Sequence, residues 1–147
     1  MATATNVYSV GRDCTVIIQH PYAPNGGRLD LQHVTGFNAE EEYTTTSVKR
    51  LDGTRLDDHL PNGWHGSFDV DRGNQQLDQL QQAIDDAYYN LGTRIRGTVT
   101  QYVQEQDGSV TTFVFSNVVF KFMSGAWKDD QVVKQQVMFN ASRRRKV

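Results

Sequence analysis

Histidines are the residues of this chain most able to bind a metal or to transfer protons, and the sequence spaces them far apart. The four are His20, His33, His59 and His65, and they belong to different predicted elements. None forms the His-x-x-x-His pair with which a helix presents two metal ligands. Surface or interface histidines are therefore the favoured interpretation, and we predict no metal site.

Carboxylates and nucleophiles give no stronger signal. Paired carboxylates occur at Asp57-Asp58 and at Asp129-Asp130. General acid–base catalysis needs two carboxyl groups whose pKa values are driven apart by burial, whereas both pairs lie in polar, turn-like sequence. The serines that follow glycine lie outside any Gly-x-Ser-x-Gly motif. We therefore predict no catalytic residue, no cofactor site and no enzymatic activity.

The composition fits one domain over residues 1–147, with a net charge of −2 at neutral pH. Such a charge argues against a protein that grips nucleic acid over its whole surface. The single cysteine, Cys14, excludes an internal disulfide, and its apolar neighbours predict a small buried hydrophobic residue. Because neither a membrane-spanning stretch nor a signal-peptide pattern is found, we expect synthesis in the cytoplasm and no membrane insertion.

Strand patterns dominate the chain, so any functional surface must be positioned mainly by β-strands. Before the helix they cover residues 13–20, 29–37 and 64–70, and after it residues 94–103, 112–123 and 133–141. The run Thr112–Met123 is apolar at odd and at even positions, which predicts a central strand covered on both sides. The only strong helical pattern covers residues 75–91, where Leu77, Leu80, Ile84, Tyr88 and Leu91 form one apolar stripe. The predicted fold is mainly β with one helix (α+β), a β-sandwich or small barrel with the helix on one side.

Residues 41–60 differ from the other strand patterns. They form two extended arms around Asp52-Gly53, a strong hairpin signal. Neither arm has a clear apolar face, and an isolated two-stranded hairpin is marginal in water. The hairpin is therefore either disordered or completed by another chain. The basic run Arg143–Lys146 is equally open to two interpretations, a solvated tail or a contact between subunits.

The order of these elements resembles the tail tube proteins of bacteriophages along nearly the whole chain. The closest resemblance is in the last third, at Phe115–Phe120, Gly125–Lys128 and Val133–Phe139 with the basic end. These segments are similar to the closing strands of tube proteins from contractile tails. The tube protein of type VI secretion shares this fold.

The resemblance implies a structural virion protein of the inner tail tube. Members of that family form hexameric rings that stack, and their sheets join into a barrel around a lumen through which genome DNA passes without specific binding. The hairpin 41–60 would reach the neighbouring ring, the helix would lie outside, and tail sheath, baseplate and tail terminator proteins would be partners. The candidate contact residues are Tyr43, Thr45, Lys49, Arg50, Arg55, Asp57, Asp58, His59, Arg143, Arg144 and Arg145.

Two alternatives stay open. The first is the tube protein of a type VI-like or phage-tail-like injection system, which has the same fold. The second is a monomeric β-barrel binding module or small enzyme with a ligand pocket. The hairpin distinguishes the monomeric module from both kinds of tube protein, because a monomer should leave residues 42–59 mobile, whereas an assembled tube should order them.

Overall fold

A computed structural model describes residues 10–11, 14–23, 27–29, 34–73, 75–123 and 125–147. The predicted mainly β fold with one helix is confirmed. The elements in these ranges are β1 (Cys14–Gln19), β2 (Arg28–Leu29), β3 (Val34–Lys49), β4 (Arg55–Asp71), α1 (Gln76–Leu91), β5 (Gly97–Gln104), β6 (Val110–Met123), β7 (Lys134–Ala141) and β8 (Arg143–Lys146). The strand pattern at 29–37 includes residues 30–33, which lie outside the described residues.

The strands form one open antiparallel sheet. Its order is β2-β1-β5-β6-β7-β4-β3, and β8 pairs with β6 beside β7. The two ends of the sheet are unlike, since β3 has sixteen residues and β2 has two. In the described ranges β3 pairs with β4 alone, which leaves its other edge open.

The core lies on one side of this sheet and is built around Phe139. The ring of Phe139 stacks on Phe37, with 5.8 Å between centroids, and meets Phe115 edge-on at 5.6 Å. Phe68 contributes a third ring at 6.4 Å. Offset and edge-on aromatic pairs add to the stability that burial already provides, so these strands are held together by one shared aromatic cluster.

Helix α1 lies where the spacing of apolar residues places it, and Gly92 ends it in the left-handed conformation with φ 66°. Leu77 and Leu80 are buried against the sheet. The outer part of the predicted stripe is different, because Tyr88 and Leu91 are 45% and 79% exposed. The helix therefore covers the core with its first half, and its last turn extends past the core.

Strand β6 corrects the prediction of a strand covered on both sides. Asn117 has a positive φ of 53°, and the pairing with β5 shifts by one residue at this point. Such a bulge reverses the side to which each later residue points. Phe115, Val118 and Phe120 consequently share the core side, while Val119 is exposed. Apolar residues at odd positions before the bulge and at even positions after it therefore lie on the same face of the sheet.

Cys14 also departs from its prediction. It is only half-buried, and its sulfur accepts a hydrogen bond from the side-chain amide of Gln101 at 3.3 Å.

Candidate assembly surface

The outer ends of β3 and β4 leave the body of the protein as a paired ribbon. We call residues 42–62 the projecting hairpin, because every one of them is exposed. The strands stay in register from Tyr43 opposite Pro61 to Lys49 opposite Arg55. The turn closes with the N–H of Arg50 donating to the carbonyl of Thr54 at 2.8 Å. The hairpin therefore forms a regular ribbon although nothing in the subunit covers it.

One face of the projecting hairpin is polar. The carboxylate of Asp57 accepts hydrogen bonds from the Ser47 hydroxyl and from Nε of Arg55, the latter at 2.8 Å. These two bonds, the first more than the second, lower the pKa of Asp57. Thr45 and His59 are hydrogen-bonded across the strands at 3.2 Å. Exposed pairs of this kind add little stability, so the network orients side chains more than it holds the ribbon together.

The other face carries three apolar side chains, Val48, Leu56 and Leu60, which we call the apolar strip, although Thr46 and Asp58 lie between them. The register sets Val48 opposite Leu56, and Leu60 lies on the same face opposite Thr44. At the tip, the side chain of Leu51 is fully exposed at 110% of its reference area. Each arm contributes only one or two of these residues. The strip therefore exists only once the two arms pair.

The candidate contact residues of the hairpin are all exposed, and pairing divides them between its two faces. Tyr43 lies on the polar face, where its hydroxyl donates to Glu41 at 3.0 Å, and this bond raises the pKa of Tyr43. Asp58 stands opposite Thr46 on the apolar side. The residues on the polar face are Tyr43, Thr45, Lys49, Arg55, Asp57 and His59, and Arg50 begins the turn. Their role in contacts between subunits stays a prediction.

The basic C-terminal run is strand β8, which corrects its interpretation as a solvated tail. Arg144 stands opposite Phe115, and Arg143 opposite Ser116. The guanidinium of Arg144 lies between two rings, 4.1 Å from the centroid of Trp64 and 4.2 Å from that of Phe113.

Arg144 is therefore engaged inside its own subunit. Arg143 and Arg145 are exposed. Because side chains alternate along a strand, both point to the face opposite Arg144. They remain the two exposed candidates of the basic run.

A second surface, at the end of α1, was not predicted. Beside the exposed side chains of Tyr88 and Leu91, Tyr89 is 81% exposed. Under the two tyrosines is a pocket of about 230 Å³, the helix-end pocket, between the helix and the sheet. The guanidinium of Arg94 lies 5.1 Å from the Tyr88 ring at its rim. The apolar stripe of the helix already included Tyr88 and Leu91, but periodicity alone cannot show where the core beneath a helix ends.

His20 lies at the base of this pocket and is buried, at 2% exposure, so its prediction as a surface or interface histidine is wrong. The backbone N–H of Tyr22 donates to its Nδ1 at 3.1 Å. Nε2 therefore carries the proton and donates to the carbonyl of Ile95 at 3.0 Å. Burial lowers the pKa of His20, and the neutral imidazole is the form that fits both bonds.

The remaining histidines lie apart from His20. His33 is outside the described residues, and His59 is on the projecting hairpin. His65 lies on the outer face of β4, with Nδ1 2.9 Å from a carboxylate oxygen of Glu42 and Nε2 3.5 Å from one of Glu40. Across the described ranges, no group of three histidine, cysteine or acidic side chains is placed to hold a metal ion.

The outer face of β3, β4 and β7 has a groove of about 420 Å³. Its lining is mixed, with polar residues such as Asn38, Glu40 and Lys121 beside apolar ones such as Val119 and Met138. In the parts of the chain that are described, no helix is both long and apolar enough to cross a membrane.

Comparison with protein-family models and with curated proteins finds no match. Solved structures do match. A chain of the anti-feeding prophage tube terminating cap has a TM-score of 0.70 at 12% identity, covering 100% of this chain and 95% of that one. A chain of the sheath-tube complex of the extracellular contractile injection system PVC has a TM-score of 0.64 at 12% identity, covering 98% and 94%. The SPP1 tail tube has a TM-score of 0.56 at 13% identity, covering 95% of this chain and 78% of that one.

These similarities define the class of fold. The similarity extends over nearly the full length of both chains in each of the first two comparisons. At such low identity the likeness concerns the fold. The chain has the fold of the tail tube proteins of phages and contractile injection systems.

Proposed function

We propose that the protein is a structural, non-enzymatic subunit of a tail tube, which forms hexameric rings that stack into a hollow tube in the virion. The projecting hairpin carries this proposal. It is a regular ribbon with every residue from 42 to 62 exposed and with an apolar strip on one face. Because a lone hairpin is marginal in water, a second copy that covers the strip would supply the missing stability.

Ring closure is supported by the unlike ends of the sheet. Strand β3 offers an open edge of backbone donors and acceptors, and such edges pair readily with another chain. Since the opposite end of the sheet is a different surface, a contact between them is head-to-tail. Repeating one head-to-tail contact closes a ring when the rotation fits, and we propose six subunits per turn.

The uncovered outer face of β3, β4 and β7 is our candidate for the lumen lining. Its groove includes two glutamates, Glu40 and Glu42, against one lysine, Lys121, and the whole chain has a net charge of −2. Each contact between a basic side chain and a phosphate adds affinity for DNA, so a wall with few basic side chains would let genome DNA pass without holding it. Sheath, baseplate and tail terminator proteins are the proposed partners outside the lumen and at the ends of the tube.

A tube subunit of a contractile injection particle is the second candidate. Matched chains of the anti-feeding prophage and PVC structures have TM-scores of 0.59 to 0.70. Those of the SPP1 tail tube and the gene transfer agent have 0.51 to 0.56. The cargo distinguishes the two functions: particles purified with nuclease-protected DNA and capsids would favour the phage tail, and particles without either would favour the injection system.

Electron microscopy of the purified protein tests assembly directly. We expect six-fold rings and hollow tubes in negative stain, with length increasing with protein concentration. A stable monomer at high concentration would overturn the proposal. A variant lacking residues 49–55 should form rings or monomers that do not stack, and normal long tubes from it would refute the role of the hairpin in stacking.

A further inference from the structure

The chain forms the same turn twice, at residues 50–54 and 105–109. In both, the N–H of the first residue donates to the carbonyl of the fifth at 2.8 Å, and the fourth residue is a glycine with φ of 90° or 89°. In both, the aspartate before that glycine accepts the N–H of the fifth residue at 2.9 Å. The second residue is Leu51 in the first turn and Gln106 in the second.

This comparison isolates Leu51 as a residue that the turn itself does not require. A glutamine occupies the equivalent position in a turn with the same hydrogen bonds, so the geometry accepts a polar side chain. Leu51 is nevertheless fully exposed at the tip of the projecting hairpin. With seven paired residues in each arm, the tip extends roughly 20 Å beyond the base of the ribbon. A leucine in that position has no partner in its own subunit and is placed to reach another.

The helix-end pocket has the size and lining that a leucine side chain needs. Its volume is about 230 Å³, and its apolar lining includes Ile84, Tyr88, Ile95 and Phe120. An apolar cavity of about 150 Å³ already holds a benzene ring. The pocket opens to solvent beside the exposed ring of Tyr89, so a side chain can enter from outside.

Charge complementarity selects the tip of the hairpin as the occupant. Leu51 stands between a cation, Arg50, and an anion, Asp52. The pocket has the opposite pair in its lining, the carboxylate of Asp85 on the helix and the guanidinium of Arg94 after it. An apolar centre flanked by complementary charges gives both affinity and orientation.

We propose that Leu51 of one subunit inserts into the helix-end pocket of a second copy, with Arg50 beside Asp85 and Asp52 beside Arg94. The inference rests on the proposed tube function and specifies the contact between successive rings.

Paired variants of the two turns test the role of Leu51. Leu51→Asp should raise the protein concentration needed for tube growth by about tenfold or more, because a hot-spot side chain would be replaced by a charge. Gln106→Asp places the same charge in the same turn and should stay within about twofold of the parent. Sedimentation measures the unassembled fraction. Equal effects of the two substitutions would overturn the proposal.

Charge reversal tests the orientation of the contact. Arg50→Glu and Asp85→Lys should each weaken stacking about fivefold or more, and the double variant should recover most of the loss. Circular dichroism checks that both variants keep their fold. A double variant as weak as the product of the single effects would refute the pairing.

Photocrosslinking identifies the occupant. With benzoylphenylalanine at position 51, the assembled protein should crosslink to a peptide containing residues 84–95 of another copy. A crosslink to a different surface, or to a sheath or baseplate protein, would overturn the inference.

The tube function and the Leu51 contact can be refuted separately. Parent protein that forms no rings or tubes refutes the tube function, whereas parent tubes that Leu51→Asp leaves unchanged refute only this contact.

Discussion

Replacing Arg144 by alanine removes a guanidinium that lies 4.1 Å from the ring centroid of Trp64 and 4.2 Å from that of Phe113. One cation–π contact contributes about 0.5–1 kcal/mol at an exposed site and about 2 kcal/mol when desolvated. Arg144 is half-buried, so two contacts near the lower value sum to about 1–2 kcal/mol. We therefore expect Arg144→Ala to lower the free energy of unfolding by that amount.

Urea unfolding followed by Trp64 fluorescence measures this loss. A Trp127→Phe background removes the second tryptophan and keeps an aromatic ring under Arg72, which lies 5.2 Å above it. Arg143→Ala is the matched control, because it removes the same charge from an exposed position of β8 and should cost less than about 0.5 kcal/mol. Arg144→Lys should be intermediate, since an ammonium group lacks the planar surface that stacks on a ring. Equal losses for Arg144→Ala and Arg143→Ala would refute the two ring contacts as the cause.

Three further substitutions or conditions test the fold. Burial holds the pKa of His20 below its usual 6.5 in the folded state. The contribution of neutral His20 to the free energy of unfolding is therefore complete above pH 6.5 and is lost as the pH falls through the folded-state pKa. The urea midpoint should drop between about pH 7 and pH 5, and a His20→Phe variant should show a smaller drop over that range. Asn117→Ala should cost about 1 kcal/mol because φ is positive there, whereas Asn117→Gly should be nearly neutral, and equal costs in urea unfolding would contradict the bulge. Gly66→Ala should lower the free energy of unfolding by about 3 kcal/mol or prevent folding, because the added Cβ would overlap the Phe139 ring and neighbouring backbone. An unchanged melting temperature would contradict this packing.

Much of the fold follows from local patterns. The two Asp-Gly turns, the helix before Gly92 and the alternation from Trp64 to Val70 all appear where the amino-acid sequence indicates them. Alternation and turn chemistry act over a few residues, so they can be interpreted without knowing the partner strand. The candidate contact residues of the hairpin were likewise chosen from local polarity, and all of them are exposed.

The departures arise where a bulge or a register changes which residues are neighbours. A run apolar at every position predicts burial on both faces, but the bulge at Asn117 turns Phe115 and Val118 toward one core. The apolar strip of the hairpin was missed because Val48 and Leu56 meet only through pairing across the turn. In the same way, a basic run predicts exposure, and only the pairing of β8 with β6 brings Arg144 between two rings.

The amino-acid sequence by itself therefore determined the kinds of element, their order and the polar hairpin that points to assembly, because these depend on neighbouring residues and on the propensities of short segments. Only the tertiary structure decided that the helix-end pocket exists, that His20 lies buried beneath it, and that Leu51 is exposed at the tip of the projecting hairpin. These features depend on the register and closeness of segments far apart in the chain, which no local pattern specifies.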